Sequence, residues 1–594
     1  ICAKIRYVFE LRSLERRLRM SKIIKHVVSR RGFLKGTAVG SLGLAAAAVI
    51  GCGEDEAAAP ASSGGAKATV TPAKPVTPPS KPEEKKAAPA AAAPKPAVRK
   101  VAHLRYAYHG SLPTLSPNTT AASAADFHNI YDCLTRQRPI KGGGNTVEAG
   151  LATSWETPDG KGKKWVFRLR PAEWSDGKKF TAADVKFVHD YYGNPENKSR
   201  LISRVGTVEE TKVIDENTVE ITCKGAGDPI LPKREGIVLQ LPKHIYEDSS
   251  INAEEFMGKT PVATGAYVPS NYKQKDSMDL TMSPNTWHDN NGFETVKFNW
   301  ISEASTRVAA LETGDVDMIT SLPLNEYSRV GSLPNMVPLQ APANTNQAWD
   351  MANMPDKDPS ITNDPRVRQA VNHALDRDGL VKVGWDGVSR PAKDQLITPN
   401  VFGHQTDFAV PAYDPDKARQ LLKDAGLANG AKMTCDAQVL TGSYGKPVLE
   451  ASLGLWNDVG IEVDARTIEV NVWRDRLYGR ETKGRPGTFL MGWSSFLYEA
   501  ALAWQWHAST NPYALWNNAD FDAARDAANG AVDPDVRMKH YREMAVLEQV
   551  ENGGPSAFLC ESTVAYGIRD NVLDVSSYIP FSVSDIFFNE VKPA

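Results

Sequence analysis

Nine prolines fall between Pro60 and Pro96, inside a stretch from Glu54 to Lys100 dominated by Ala, Pro, Lys, Ser and Gly. No other feature limits this chain so strongly. A segment of that composition has no periodic apolar face and cannot bury a core. Pro89, Pro94 and Pro96 interrupt the alanine runs that could otherwise coil into a helix. The segment reads as a linker, reaching between roughly 40 Å as a flexible coil and roughly 140 Å as extended polyproline.

On its N-terminal side, Gly36 to Gly51 carry no charged side chain. The run is short and rich in Gly and Ala, whereas a bilayer span wants about 20 strongly apolar residues. Positive charge, then an apolar core, then small residues is the layout of an export signal. Ser29 to Lys35, "SRRGFLK", resembles the twin-arginine export motif with Arg30 and Arg31 as its pair, and Val49 to Cys52, "VIGC", resembles a bacterial lipobox. The resemblance implies cleavage before Cys52 and lipid on its sulfur. Residues 1–51 are then a twin-arginine lipoprotein signal, and 52–100 a lipid-anchored linker. A plain anchor helix is the alternative. Ile1 to Arg19 precede the first methionine, so Met20 is the expected start.

On the C-terminal side the chain runs from Val101 to Ala594 without another long apolar segment, and with 41% hydrophobic residues overall it can build two or three domain-sized cores. The formal net charge is −2, which points to neither nucleic acid nor an anionic membrane surface as a partner. Cys133, Cys223, Cys435 and Cys560 are far apart and lack CxxC spacing, against zinc ribbons, redox pairs and iron–sulfur clusters. One or two disulfides stay open in an oxidising compartment.

Strand and helix signals alternate through this body. "HLRYAYHG" places Leu104, Tyr106 and Tyr108 on one face of a strand. In "FTAADVKFVHDYY", Thr181 and Asp184 form a capping box ahead of the stripe Val185, Val188, Tyr192. "STRVAALETGDVDMI" predicts a helix through Val308 and Leu311, stopped at Gly314 and followed by a short buried strand. Asp364-Pro365 and Asp414-Pro415 each open a helix, with stripes Val367, Val371, Leu375 and Ala418, Leu421, Leu422, Ala425. Helices feeding buried strands make an α/β protein.

The order of these blocks resembles the extracellular solute-binding proteins of the peptide/nickel ABC-importer family, of the oligopeptide- and dipeptide-binding type. "GLATSWETPDGKGKKWVFRLRPAEWSDGKKFTAADVKF" (Gly150 to Phe187) is similar to the family's signature stretch, and "TPVATGAYVPSNY", "AALETGDVDM", "DPRVRQAVNHALDRDGLV", "YDPDKARQLLKDAG" and "FLMGWSS" follow in order. The resemblance implies a two-lobed, periplasmic-binding-protein-like α/β fold of class II, hinged around a ligand and woven from three sub-domains. Domain I would take 101–147, 260–340 and 566–594, domain II 148–259, and domain III 341–565. It also implies a monomer outside the cytoplasm that works with a separately encoded ABC permease and ATPase, without cofactor or metal.

The candidate site begins after the apolar run Phe489 to Met491. Trp493, Phe496, Tyr498, Trp504, Trp506, Tyr513 and Trp516 crowd one stretch, and large rings beside irregular backbone can line a cleft. Most would be core; two or three would face a ligand. By resemblance Trp493 holds the family's pocket-lining position. Peptide binders commonly carry an aspartate three residues later, but here Ser494 and Ser495 lead to Phe496. A ligand ammonium would need another anion, and Glu499 is the nearest candidate. Ser495, Phe496 and Trp506 are counted with the lining, and Thr119, Thr120 and Ala121 fall where the family contributes backbone contacts from domain I. A short peptide is the expected solute; an oligosaccharide, an opine-like compound, a nickel chelate or haem are alternatives in the same fold. An exported enzyme is the rival class, but the chain lacks GxSxG, HExxH and phosphate-binding glycine loops, and the lone His507 is a weak metal or haem candidate.

Overall fold

The computed structural model describes residues 102–110, 112–119, 127–140, 144–289, 291–352, 360–438, 445–468, 472, 488–494, 497–511, 514–578 and 586–594. The expected signal, Cys52 and the linker lie outside them. Within them the expected helices form where their caps stand. Thr181 N donates to Asp184 Oδ2 (2.9 Å) at the start of Ala182–Gly193, and Val185, Val188 and Tyr192 are fully buried. Asp364 accepts from Arg366 N (2.9 Å) ahead of Pro365–His373, and Asp414 from Lys417 N (2.9 Å) ahead of Pro415–Asp424. Gly314 closes Ala304–Thr313 at φ +78°, a left-handed conformation that glycine adopts without a Cβ penalty.

An 11-stranded mixed sheet runs through the molecule. At one end lie Ile461–Ile468, Ala431–Gln438 and Thr488–Ser494; at the other lie His103–Tyr108, Thr295–Trp300, Ser277–Met282 and Tyr267–Lys273. Two long strands join the ends, Met336–Met351 and Ser556–Arg569, antiparallel neighbours from Met336↔Arg569 to Asp350↔Ser556. A four-stranded sheet (Ala152–Glu156, Lys164–Leu169, Thr218–Cys223, Val208–Asp215) and a hairpin (Thr135–Pro139, Asn145–Ala149) complete the sheets among the described residues.

The cores sort into two lobes. One set of buried apolar residues comes from 104–341 and 565–591, the other from 348–560. In the second lobe the sheet is a partition. Trp349, Leu490 and Leu559 pack on one face with Trp456 and Leu422, while Ala348, Phe489, Met491 and Phe558 pack on the other with Trp504, Trp516 and Tyr541. Among the described residues the sheet passes between the lobes on the two long strands, a connection of the kind that hinged lobes use. Cys133, Cys223, Cys435 and Cys560 are buried free thiols, so none of the disulfides left open by the sequence forms. Among the described residues no helix is long and apolar enough to cross a membrane.

Candidate functional site

Trp493 sits near the end of Thr488–Ser494, in the second lobe, where its backbone stands opposite Asn346 of the first long strand. Ser495 and Phe496 lie outside the described residues, as do Thr120, Ala121 and Tyr513. Thr119 is exposed beside Asn118, whose Nδ2 donates to Glu254 Oε1 (2.8 Å) in the first lobe.

The chain then turns sharply. Tyr498 is buried with φ +51°, an uncommon conformation for a bulky residue. Its carbonyl collects donors from three directions: Phe402 N (3.0 Å), Asn145 Nδ2 (3.2 Å) and Lys233 Nζ (3.1 Å). Asn145 and Lys233 belong to the first lobe and Phe402 to the second. Nearby, Gly144 N donates to Pro399 O (3.0 Å) and Asn145 Nδ2 to Asn400 O (2.9 Å), so the hairpin tip of the first lobe touches the second at the same place.

Glu499 completes this junction, and its position departs from the expectation that it could read a ligand ammonium. The side chain is fully buried, and its charge is already met. Lys233 Nζ lies 2.7 Å from Oε2, Arg537 Nε lies 3.3 Å from Oε1, and the Tyr541 hydroxyl donates to Oε1 (2.7 Å). The Phe402 ring lies beneath both cations, 5.4 Å from Lys233 Nζ and 5.3 Å from the Arg537 guanidinium carbon. Burial pulls the Lys233 ammonium below its ordinary range while Glu499 holds it up. Two cations on one carboxylate leave nothing there to attract a third.

The aromatic stretch divides as its chemistry requires. Trp504 and Trp516 are core, and Trp506 is half-buried against the same core. Trp504 Nε1 donates to Glu548 Oε2 (2.9 Å), and Leu396 N donates to the same oxygen (2.8 Å). His507 is buried between two carboxylates: its Nδ1 lies 2.6 Å from Glu548 Oε1 and its Nε2 4.0 Å from Asp350 Oδ2. Burial works against its charge, but bonding to Asp350 and Glu548 carries the imidazole up to about 10. Among the described residues no group of His, Cys, Asp and Glu is arranged to hold a metal.

Behind Glu499 a cavity of ≈ 360 Å³ opens between the lobes, with Asp228, Ile230 and Arg234 on one wall and Leu502, Arg525 and Arg537 on the other. Its charged walls are paired, Arg234 with Asp228 (2.5 Å) and Arg525 with Asp526 (2.7 Å). Sequence reasoning did not find Lys233, Phe402, Arg537 or Tyr541. One signal was available: in "PDVRMKHYREMAVLE", Arg537 and Glu548 fall on the same buried stripe as Tyr541, Met544 and Ala545. Charges on an apolar stripe demand partners.

Comparison with known proteins bears on the family and the fold. The family described as bacterial extracellular solute-binding proteins, family 5, matches residues 146–514. Heme-binding protein A of Haemophilus influenzae is 27% identical over 478 residues, covering 75% of this chain and 84% of that protein. The dipeptide-binding protein of Escherichia coli is 24% identical over 502 residues, covering 79% and 91%. Among solved structures, the ABC transporter substrate-binding protein CtaP of Listeria monocytogenes superposes with a TM-score of 0.72 at 18% identity, over 83% of this chain and 100% of that one.

Proposed function

This chain belongs to family 5 of the bacterial extracellular solute-binding proteins, and from that membership we propose that it captures a short peptide or a similar small organic solute between its lobes and delivers it to a separately encoded ABC permease and ATPase. The observation that carries the reading is the lobe junction. Among the described residues two long strands carry the sheet from one lobe to the other, and Lys233 of the first lobe reaches Glu499 of the second. A closed shape favoured by bound solute is a signal that a transporter can read.

The hinge is proposed at the neighbouring rungs Leu339↔Tyr566, Gln340↔Ala565 and Ala341↔Val564, across which the boundaries between domains I and III fall on both strands. Domain II as 148–259, a monomeric state, and contact of the solute with Trp493, Phe496, Trp506 and the 119–121 loop belong to the same proposal. So does lipid attachment at Cys52, with export through Arg30 and Arg31. A peptide is favoured over an oligosaccharide, an opine-like compound, a nickel chelate or haem, and a relative named for haem keeps that alternative in the test. The family's named relatives are binding proteins, and no turnover is proposed.

A thermal-shift panel of short peptides, sugars, nickel chelates and haem tests the reading. A ligand present at 100 times its Kd stabilises the folded chain by about 2.7 kcal/mol, so one class is expected to raise Tm measurably. Multiple-turnover hydrolysis of any member would contradict it.

A further inference from the structure

The rung of the sheet that holds Trp493 also holds a carboxylate. Asn346 stands opposite Trp493 on one neighbouring strand and opposite Glu561 on the other, and Glu561 in turn stands opposite Arg390 of the short strand Arg390–Pro391. Residues directly opposite across a ladder share a face. The packing identifies which face Glu561 takes. A register shift at Gln347/Ala348 sends both Leu559 and Cys560 into the core with Trp349, while Phe558 packs with Ala348 in the other core. Ser562 is on the Trp349 side as well, since its Oγ accepts from Gln347 Nε2 (3.1 Å). Glu561, between Cys560 and Ser562, therefore leaves the sheet on the opposite side, with Asn346.

Asn346 is buried and its Nδ2 is committed to Gln395 O (2.8 Å). Glu561 is half-buried, and among the described residues no hydrogen bond or ion pair holds its carboxylate, which Arg390 and Lys393 attract only from a distance. Burial pushes this acid up to about 7, against the pull of Arg390 and Lys393. A half-buried carboxylate without a bonded partner is costly to keep unless something supplies the missing charge.

We infer that Glu561 is the anion this cleft offers to its solute, and that the solute carries a protonated amine, with Arg390 at the same rung and Lys393 close by to meet a carboxylate on the same molecule. The inference rests on the cleft reading above. It gives the site an ammonium reader on the second long strand, where Phe496 has no charge to offer and Glu499 is spent on Lys233 and Arg537.

The test uses the full chain and a synthetic tripeptide library without Lys, Arg or His, in free and N-acetylated forms, with captured peptides read by native mass spectrometry. Wild type is expected to capture free tripeptides and not their acetylated forms. Glu561→Gln should capture them at least ~10-fold more weakly, the loss expected for one charged hydrogen bond, and Glu561→Asp should retain part of the capture. The ligand-free Tm of Glu561→Gln should not fall, because the side chain it replaces is an unpaired acid. Absence of free-tripeptide capture by wild type, indifference to acetylation, or equal capture by wild type and Glu561→Gln would each overturn the inference. Trp493→Ala separates the two claims. If it loses capture while Glu561→Gln does not, only the Glu561 assignment fails; if it captures like wild type, the cleft reading fails with it.

Discussion

Glu499 shows how one residue can look like a ligand reader in the sequence and act as a structural joint in the fold. Nothing in "SSFLYEAALAW" announces that its carboxylate will meet Lys233, more than 200 positions earlier, and Arg537 on a later helix. Spacing along the chain reports local faces, and this junction is made by tertiary approach alone. Glu499→Gln leaves Lys233 and Arg537 buried against a neutral amide. Removing one member of a buried pair typically costs about 3–5 kcal/mol. The midpoint of urea unfolding is expected to fall accordingly; a variant as stable as wild type would mean that the two cations find water or another anion. Trp493 was singled out by resemblance, whereas the rung that joins it to Asn346 and Glu561 depends on strand order, which a sequence does not print.

Elements were easier to read than the contacts among them. The capped helices at Thr181, Asp364 and Asp414 and the strand His103–Tyr108 follow from local rules, because caps and apolar periods act within a few residues. The aromatic stretch after Phe489 gave no period, and what orders it is an anchor between elements. Glu548 at the end of Pro534–Glu548 holds Trp504 and His507, and His507 faces Asp350 on the first long strand. The sign of its pH effect follows from the raised folded value of about 10 against an ordinary 6.5. Protonated His507 stabilises the fold fully below about pH 6.5, and that contribution is lost as pH rises through about 10. Unfolding midpoints measured from pH 6 to 10 should therefore fall more steeply for wild type than for His507→Gln. Parallel curves would show that the imidazole carries no charge in the folded chain.

For the whole molecule, two lobes joined by two long strands and membership of a solute-binding family are what the proposed closure on a solute rests on. The linker read from the sequence at Glu54 to Lys100 would let a chain proposed to be tethered at Cys52 still reach a partner. With Cys52 lipidated, cell fractionation should find wild type in the membrane and Cys52→Ser released from it; equal membrane retention of both, with unprocessed wild type accumulating, would refute the anchor. The proposed function places one solute between the lobes against Trp493. Its most direct test is a native mass spectrum of the full chain purified without unfolding, compared with Trp493→Ala. One solute per wild-type chain and none on the variant are expected, with the two ligand-free proteins melting alike. A variant that keeps the same solute at the same occupancy would contradict it.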